Sequence, residues 1–275
     1  MTARASAEKH GERLDAAQER IVSHPGYREK QLYDGLARSV YAVFLPNRDE
    51  LICLLTEPSR DVNLAVELFQ NTWRPDIRVR FEGAVMRALL NYVAAAGALV
   101  EHTRRIMRSR SGPTVDEFER KKRDVAATSE VLLVQGLRNY VLHHSLPFIG
   151  HEVRMQPEPG VTAAGEIRLS VPQLLEWDRW SAPAREFMIS AGDALALLPV
   201  VELHGELVSG LNLWLYRQLS AANAPALAQA NQLIDERNAI LAGMDVEQAR
   251  REGQVISRRR ERPRPRAMAD LNRPC

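Results

Sequence analysis

Apolar residues recur at steps of three and four along most of the chain, the spacing that places them on one face of an α-helix. The clearest case is residues 83–109, where Val85, Leu89 and Val93 follow this spacing and Gly112 marks the end. The same pattern predicts further helices at 27–44, 51–55, 62–73, 114–127, 130–145, 193–219 and 223–243. The chain is therefore predicted to be all-α, a helical bundle, apart from one short segment.

Local signals mark where these helices begin and end. Pro46 is expected to stop the first helix, because proline lacks the N–H that a helix interior needs. Asp61 is placed to cap the helix that follows it, and Thr114 with Glu117 forms a capping box. Residues 77–81 alternate between apolar side chains and arginine, a weak strand signal that also fits the start of a helix.

The segment that breaks the helical pattern is residues 151–171. Two strand-like runs, 151–156 and 166–171, flank the turn-forming sequence PEPGVTAAG. This arrangement predicts a small β-hairpin inserted between helices.

Composition divides the chain into three parts. Residues 1–26 are polar and are expected to form a flexible N-terminal arm. Residues 27–245 are expected to form a single helical domain. Residues 246–275 are rich in arginine and proline and have too little apolar sequence to fold alone, so a disordered basic tail is expected.

Charge and motif content exclude several classes of function. The 37 basic and 35 acidic residues leave a net charge of +2, so the whole chain has no strong field. Two cysteines, Cys53 and Cys275, cannot supply a cysteine-based zinc site. No glycine-rich phosphate loop and no GxSxG elbow occurs. No cofactor or metal is therefore expected.

Hydropathy bears on location. The longest apolar runs, 93–100 and 194–201, are far shorter than the ~20 residues of a membrane helix. The first twenty residues contain no apolar signal segment. We therefore expect a cytoplasmic protein that makes no contact with a membrane.

One short segment contains a group of residue types that are common in active sites, the sequence LRNYVLHH at 137–144. Arg138 and Asn139 lie in an apolar helical stretch, and His143 and His144 follow at its end. No acidic residue occurs between Val131 and His151, so no carboxylate nearby in the sequence neutralises the arginine. An anionic ligand would suit it.

This pattern resembles the motif of the HEPN superfamily, an arginine followed by a polar residue and then a histidine four to six positions later in an all-helical core. The matching residues are Arg138, Asn139 and His143, with His144 as the alternate, within a core of about residues 84–220. The resemblance implies a homodimer in which two motifs meet to form a metal-independent endoribonuclease site. It also implies a toxin- or defence-type role, with a regulatory protein as a further partner.

The residues fit this chemistry. A histidine titrates near neutral pH and can take the proton of an RNA 2′-hydroxyl. A guanidinium is permanently charged and can stabilise the negative charge that builds on the phosphorus centre. The expected products are a 2′,3′-cyclic phosphate and a 5′-hydroxyl. His102 is a candidate auxiliary acid or base, and Arg258, Arg259 and Arg260 are candidate RNA contacts in the tail.

Other interpretations stay open. The motif could be an ordinary helix end, with Arg138 extended into solvent and the histidines favourable to the helix dipole. The protein would then be a non-catalytic helical module that binds RNA or a protein partner. The weaker candidate sites are a metal set of His143, His144, His151 and Glu152, a base-stacking pair of Trp177 and Trp180 with Arg179 and Arg185, and the group Glu202, His204 and Glu206, for which we expect a surface position.

Overall fold

The computed structural model describes residues 3–70, 75–156 and 162–243, and most of this chain is helical. The expected basic tail at 246–275 lies outside the described residues. The helices are α1 Ala3–Ser23, α2 Pro25–Arg38, α3 Leu45–Arg60, α4 Val62–Gln70, α5 Pro75–Met107, α6 Pro113–Ala126, α7 Ser129–His143, α8 Val171–Leu175, α9 Ala182–Ser190, α10 Leu197–Ala222 and α11 Ala224–Leu241. The strands are β1 Ile149–Gln156, β2 Thr162–Ser170 and β3 Ala194–Ala196.

The described residues divide into two compact units. The first contains residues 3–35 and 216–243, and the second contains residues 36–215. The expected single domain at 27–245 spans parts of both units.

In the first unit, α1 packs along α11. Ile21 and Ala230 are buried, and Arg20 forms an ion pair with Glu236 at 3.3 Å. Residues 1–26 are expected from the sequence to form a flexible arm; in the structure Ala3–Ser23 is the helix α1, and Ile21 of this helix is buried in the packing.

The second unit is built around the long helix α5, which packs against α3, α4, α7 and a π-helical segment at Ser39–Phe44. Tyr92, Val85 and Leu99 of α5 are fully buried. By length and composition alone α5 could cross a membrane, a test that the core helix of a globular protein also passes. The weak strand signal at 77–81 is the first part of this helix.

The expected helix stop at Pro46 is wrong. The π-helical segment runs directly into α3, whose second residue is Pro46. The N–H of Leu45 bonds to the carbonyl of Val40, five residues earlier, as in a π-helix. A proline ring clashes with the carbonyl four residues before it in a regular α-helix, and the wider π turn before Pro46 relieves this clash.

The predicted hairpin is confirmed, and a third strand extends it. β1 and β2 are antiparallel, with His151 opposite Ile167 and Glu152 opposite Glu166. β3 pairs with the far edge of β2, with Leu195 opposite Leu169. The sheet packs on α3 and α4.

Candidate functional site

Helix α7 carries the predicted motif, and its buried face fixes the orientation of the motif residues. Leu133, Leu137 and Tyr140 are buried, which holds one side of α7 against the core. Arg138 is half-buried on a neighbouring face, and His143 is exposed at the last turn. The candidate residues are therefore presented at the border between core and solvent.

The side chain of Arg138 lies across α5 at Gly97. A β-carbon built on Gly97 would stand 2.5 Å from Arg138 Nε and 2.9 Å from its Cδ, closer than real atoms approach. The missing side chain therefore makes the space that the guanidinium occupies. The signal for this role was a lone glycine inside the alanine-rich run AAAGA, since a glycine costs a helix about 1 kcal/mol relative to alanine and needs a packing reason.

The charge of Arg138 is not neutralised within the described chain. No hydrogen bond or ion pair joins it to another described residue. A half-buried guanidinium has five N–H donors in a fixed fork, which suits a phosphate or a carboxylate. Arg138 is thus a half-buried cation without a described carboxylate partner.

Within one chain, Arg138 and His143 do not point to a common position. Five helical residues separate their side chains by about 140° around α7 and by about 7.5 Å along its axis. Asn139 and His143 are one turn apart and share a face, as the sequence predicts. One copy of the chain therefore supplies the arginine on one face and the Asn139–His143 pair on another.

His144 has a different environment from His143. It is the C-cap of α7, and its backbone N–H bonds to the carbonyl of Tyr140 at 2.8 Å. Its ring packs edge-on against the Tyr140 ring, with the centroids 5.0 Å apart, and Ser145 Oγ donates to Tyr140 Oη. His144 is exposed like His143, but its ring packs on the buried Tyr140, whereas His143 makes no described contact of this kind.

His102 does not join the motif. It lies on α5 five residues beyond Gly97, so it leaves the helix about 140° away from the surface that holds Arg138. Its Nδ1 is 2.6 Å from the hydroxyl of Ser39 in the π-helical segment. The structure therefore does not bring the auxiliary candidate to the arginine.

The group Glu202, His204 and Glu206 is not a surface group as a whole. The two glutamates are exposed, but His204 is only 4% exposed. Its Nδ1 is 2.5 Å from Tyr92 Oη, with Phe44 packed against both rings. Burial lowers the pKa of His204 to about 4 and raises the pKa of the Tyr92 hydroxyl. His204 is therefore a neutral core residue, and the expected surface position is wrong for it.

The tryptophans that could have stacked on bases are core residues. Trp177 and Trp180 are each 7% exposed and pack edge-on against one another, and both contact Tyr140. Trp180 Nε1 donates to the carbonyl of Leu174 at 2.6 Å. Their faces are occupied by protein, while Arg179 and Arg185 are exposed. Base stacking at this pair is excluded.

The alternative metal set does not assemble. The side chain of His151 is 5% exposed, and its Nε2 is 2.9 Å from Glu82 Oε1, while Glu152 pairs with Arg168. Burial lowers the pKa of His151, although Glu82 opposes this shift. Among the residues with described side chains, no three His, Cys, Asp or Glu side chains are grouped to hold an ion.

The candidate RNA contacts Arg258, Arg259 and Arg260 lie outside the described residues. No protein-family model, curated protein or solved structure matches the chain.

Proposed function

We propose that the protein is a HEPN-like, metal-independent endoribonuclease whose active site combines Arg138, Asn139 and His143 from two copies of the chain. The observation that carries the proposal is the half-buried guanidinium of Arg138 over Gly97, which no described carboxylate neutralises, on the helix that presents His143 to solvent. The motif supplies a cation, Arg138, and a base, His143, and neither residue is fully buried.

The reaction is an attack of an RNA 2′-hydroxyl on the adjacent phosphorus. His143 removes the 2′-hydroxyl proton, the 2′-oxygen forms a bond to phosphorus, and the bond from phosphorus to the 5′-oxygen breaks. The 5′-oxygen takes a proton, supplied by a second imidazolium or by water. Arg138 stabilises the extra negative charge on the phosphorane, and Asn139 orients the phosphate or the His143 ring.

Two copies are required because of the geometry of α7. Arg138 and His143 leave the helix about 140° apart, so a single copy presents them to different regions. In a twofold dimer, Arg138 of one protomer meets His143 of its partner, and the symmetric site is completed in the same way. Exposed apolar side chains beside the motif, such as Leu142, give such a contact apolar area.

A second candidate is a non-catalytic helical module that binds a protein or RNA. It is favoured by three large apolar side chains at the end of α7 and in the loop that follows: Leu142, Leu146 and Phe148 are 59%, 52% and 54% exposed. Apolar exposure of this kind is typical of a surface that another molecule covers. Catalysis distinguishes the two candidates, since only the first requires His143.

The first test uses purified protein, single-stranded RNA and a chelator. The proposal expects cleavage to fragments that end in a 2′,3′-cyclic phosphate, and loss of cleavage in Arg138→Ala and His143→Ala variants with unchanged helical circular dichroism. If the wild type leaves the RNA intact, or if the variants cleave it equally well, the protein is not the proposed endoribonuclease. The non-catalytic binding module is then the remaining candidate.

The second test asks whether the site is shared between copies. Arg138→Ala and His143→Ala proteins, each inactive alone, are mixed and allowed to exchange subunits. If each site takes its arginine and histidine from different protomers, mixed dimers regain one intact site, and activity returns to about a quarter of the wild-type value for random twofold pairing. If the mixture stays inactive while mixed dimers form, the shared site is wrong.

A further inference from the structure

The side chain of Arg138, which belongs to α7, lies against α5 at Gly97. Two more arginines follow on the same side of α5. Arg104 and Arg108 follow Gly97 by seven and eleven residues, so both leave α5 within about 20° of the Gly97 direction. Arg108 comes just after the last residue of α5, but its N–H still bonds to the carbonyl of Arg104 at 3.0 Å, which continues the turn. Three guanidiniums therefore follow one edge of α5, and we name Arg138, Arg104 and Arg108 the arginine row.

The arginine row has an excess of positive charge. Arg104 pairs with Glu101 at 2.5 Å, but both side chains are about 60% exposed, and such a pair contributes little in water. Arg108 is exposed and has no hydrogen bond through its side chain to another residue with a described position. Counting the described residues alone, three guanidiniums against one carboxylate leave a net charge of +2 along the row.

The spacing of the row suits an extended polyanion. Along the axis of α5, Arg104 lies about 10 Å beyond Gly97, and Arg108 lies about 6 Å beyond Arg104. A single strand of nucleic acid can follow a straight row by adjusting its flexible backbone, and a basic groove that tracks the backbone is the usual element of single-strand binding. Guanidiniums bind phosphate oxygens through two parallel hydrogen bonds, which adds geometric specificity to each contact.

We propose that Arg104 and Arg108 bind phosphates of the single-stranded RNA whose scissile phosphate lies at Arg138. This inference rests on the proposed function, because that function places a phosphate at Arg138. Arg104 and Arg108 are positioning residues: they hold the neighbouring nucleotides and contribute affinity, while bond breaking takes place at Arg138 and His143. The row makes binding depend on the sugar-phosphate backbone rather than on base sequence.

The test separates binding from cleavage by using a labelled single-stranded RNA with 2′-O-methyl groups, which lacks the attacking hydroxyl. Its affinity is measured over a series of salt concentrations. The Arg104→Gln/Arg108→Gln variant is compared with Arg60→Gln/Arg80→Gln, a control that removes two exposed arginines of the same unit outside the row. An Arg104→Lys/Arg108→Lys variant keeps the charge.

Each phosphate contact to a single strand contributes about 0.7 to the slope of log affinity against log salt. Loss of two contacts is expected to reduce the slope by about 1.4 and to weaken binding about 25-fold near 0.1 M salt. The control is expected to stay within about twofold of the wild type, since its arginines make no specific phosphate contact. The lysine variant is expected to keep most of the salt dependence.

Equal affinity of the row variant and the control overturns the inference, as does a wild type that does not bind the 2′-O-methyl RNA. Competition by polyglutamate as strong as that by RNA also overturns it, because the row would then bind an acidic protein. The proposed function fails separately: if binding depends on the row but unmodified RNA stays intact, the arginine row is retained and the endoribonuclease is not.

Discussion

The guanidinium of Arg138 occupies the space that a side chain at Gly97 would fill. A β-carbon on Gly97 would stand 2.5 Å from Arg138 Nε and 3.1 Å from Cζ. The two residues belong to different helices, α7 and α5, so this contact sets the position of the arginine relative to the core. The proposed enzyme depends on that position, because a phosphate must reach the guanidinium.

The substitution Gly97→Ala should move the side chain of Arg138 without destabilising the fold. The new methyl group must push the arginine away, but an arginine side chain is flexible and can change rotamer. Alanine also favours the helix by about 1 kcal/mol, so we expect the free energy of unfolding to change by less than about 1 kcal/mol. A guanidinium displaced by about 1 Å should lower the rate of RNA cleavage on the order of 100-fold. Urea unfolding and single-turnover cleavage measure the two effects.

Gly83→Ala is the matched control for this substitution. It lies in the same helix, and its β-carbon would meet only Arg87 Nη1, at an ordinary 3.5 Å. It should gain the same helix preference and leave cleavage unchanged. Full activity in Gly97→Ala would show that the placement of Arg138 over Gly97 has no part in the reaction.

The two adjacent histidines should respond differently to alanine. His143 is exposed and makes no described side-chain contact, so its removal should leave stability within about 0.5 kcal/mol of the wild type. Its loss as general base should lower cleavage by about 10²–10⁴-fold. His144 packs on Tyr140, so His144→Ala should lower stability by about 0.5–1 kcal/mol and keep most of the activity. Thermal unfolding and cleavage rates of the two variants make the comparison, and the reverse pattern of activity would assign the base to His144.

The sequence predicted those features that depend on local pattern. The apolar spacing predicted α5 and α7, and Asp61 caps α4 as expected, since its carboxylate accepts the N–H groups of Asn63 and Leu64. The alternation at 151–171 predicted the hairpin. In each case neighbours within a few residues determine the structure, so a single sequence contains the information.

The features that were missed depend on contacts distant in sequence. Ala194–Ala196 reads as the start of a helix but becomes a strand because the edge of β2 is available to pair with it. His204 reads as a surface residue but is buried because Tyr92, 112 residues away, offers a hydrogen bond. The capping box at Thr114 is not used, because Pro113 takes the first helical position and Gly112, at φ 102°, precedes it. Gly97 acquires its role only from Arg138.

Burial of His204 should make the protein less stable in acid. Its pKa is about 4 in the fold and 6.5 as a free side chain, so between these values the unfolded chain binds the extra proton. The free energy of unfolding should therefore be highest above pH 6.5 and fall by about 3 kcal/mol as the pH falls to 4. The lowered pKa of His151 acts in the same direction. Urea unfolding at several pH values measures the slope.

Two variants assign this slope to His204. His204→Gln should reduce the slope of the free energy of unfolding against pH between pH 4 and 6.5. The reduction should correspond to the uptake of up to one proton on unfolding, whatever the effect of the substitution on stability at neutral pH. Tyr92→Phe removes the hydrogen bond but keeps the histidine buried, so it should retain the slope. Since burial is the cause of the lowered pKa, an unchanged slope in His204→Gln would mean that other groups produce the acid sensitivity.

Gly136→Ala should destabilise the fold, in contrast to Gly97→Ala, because the neighbouring side chain cannot move. A β-carbon on Gly136 would overlap Cζ3 and Cε3 of Trp180. That ring is held by its hydrogen bond to Leu174 and by stacking on Tyr140, with the centroids 5.8 Å apart. The overlap must be relieved by moving α7 or the aromatic cluster, which should lower stability by about 2 kcal/mol and Tm by about 5 °C. Gly210→Ala, a helical position where a β-carbon would meet nothing within 4 Å beyond its chain neighbours and its own helix backbone, is the control and should raise Tm slightly. A wild-type Tm in Gly136→Ala would mean that the Trp180 ring is not fixed against α7, and the burial that orients Arg138 and His143 would then need another source.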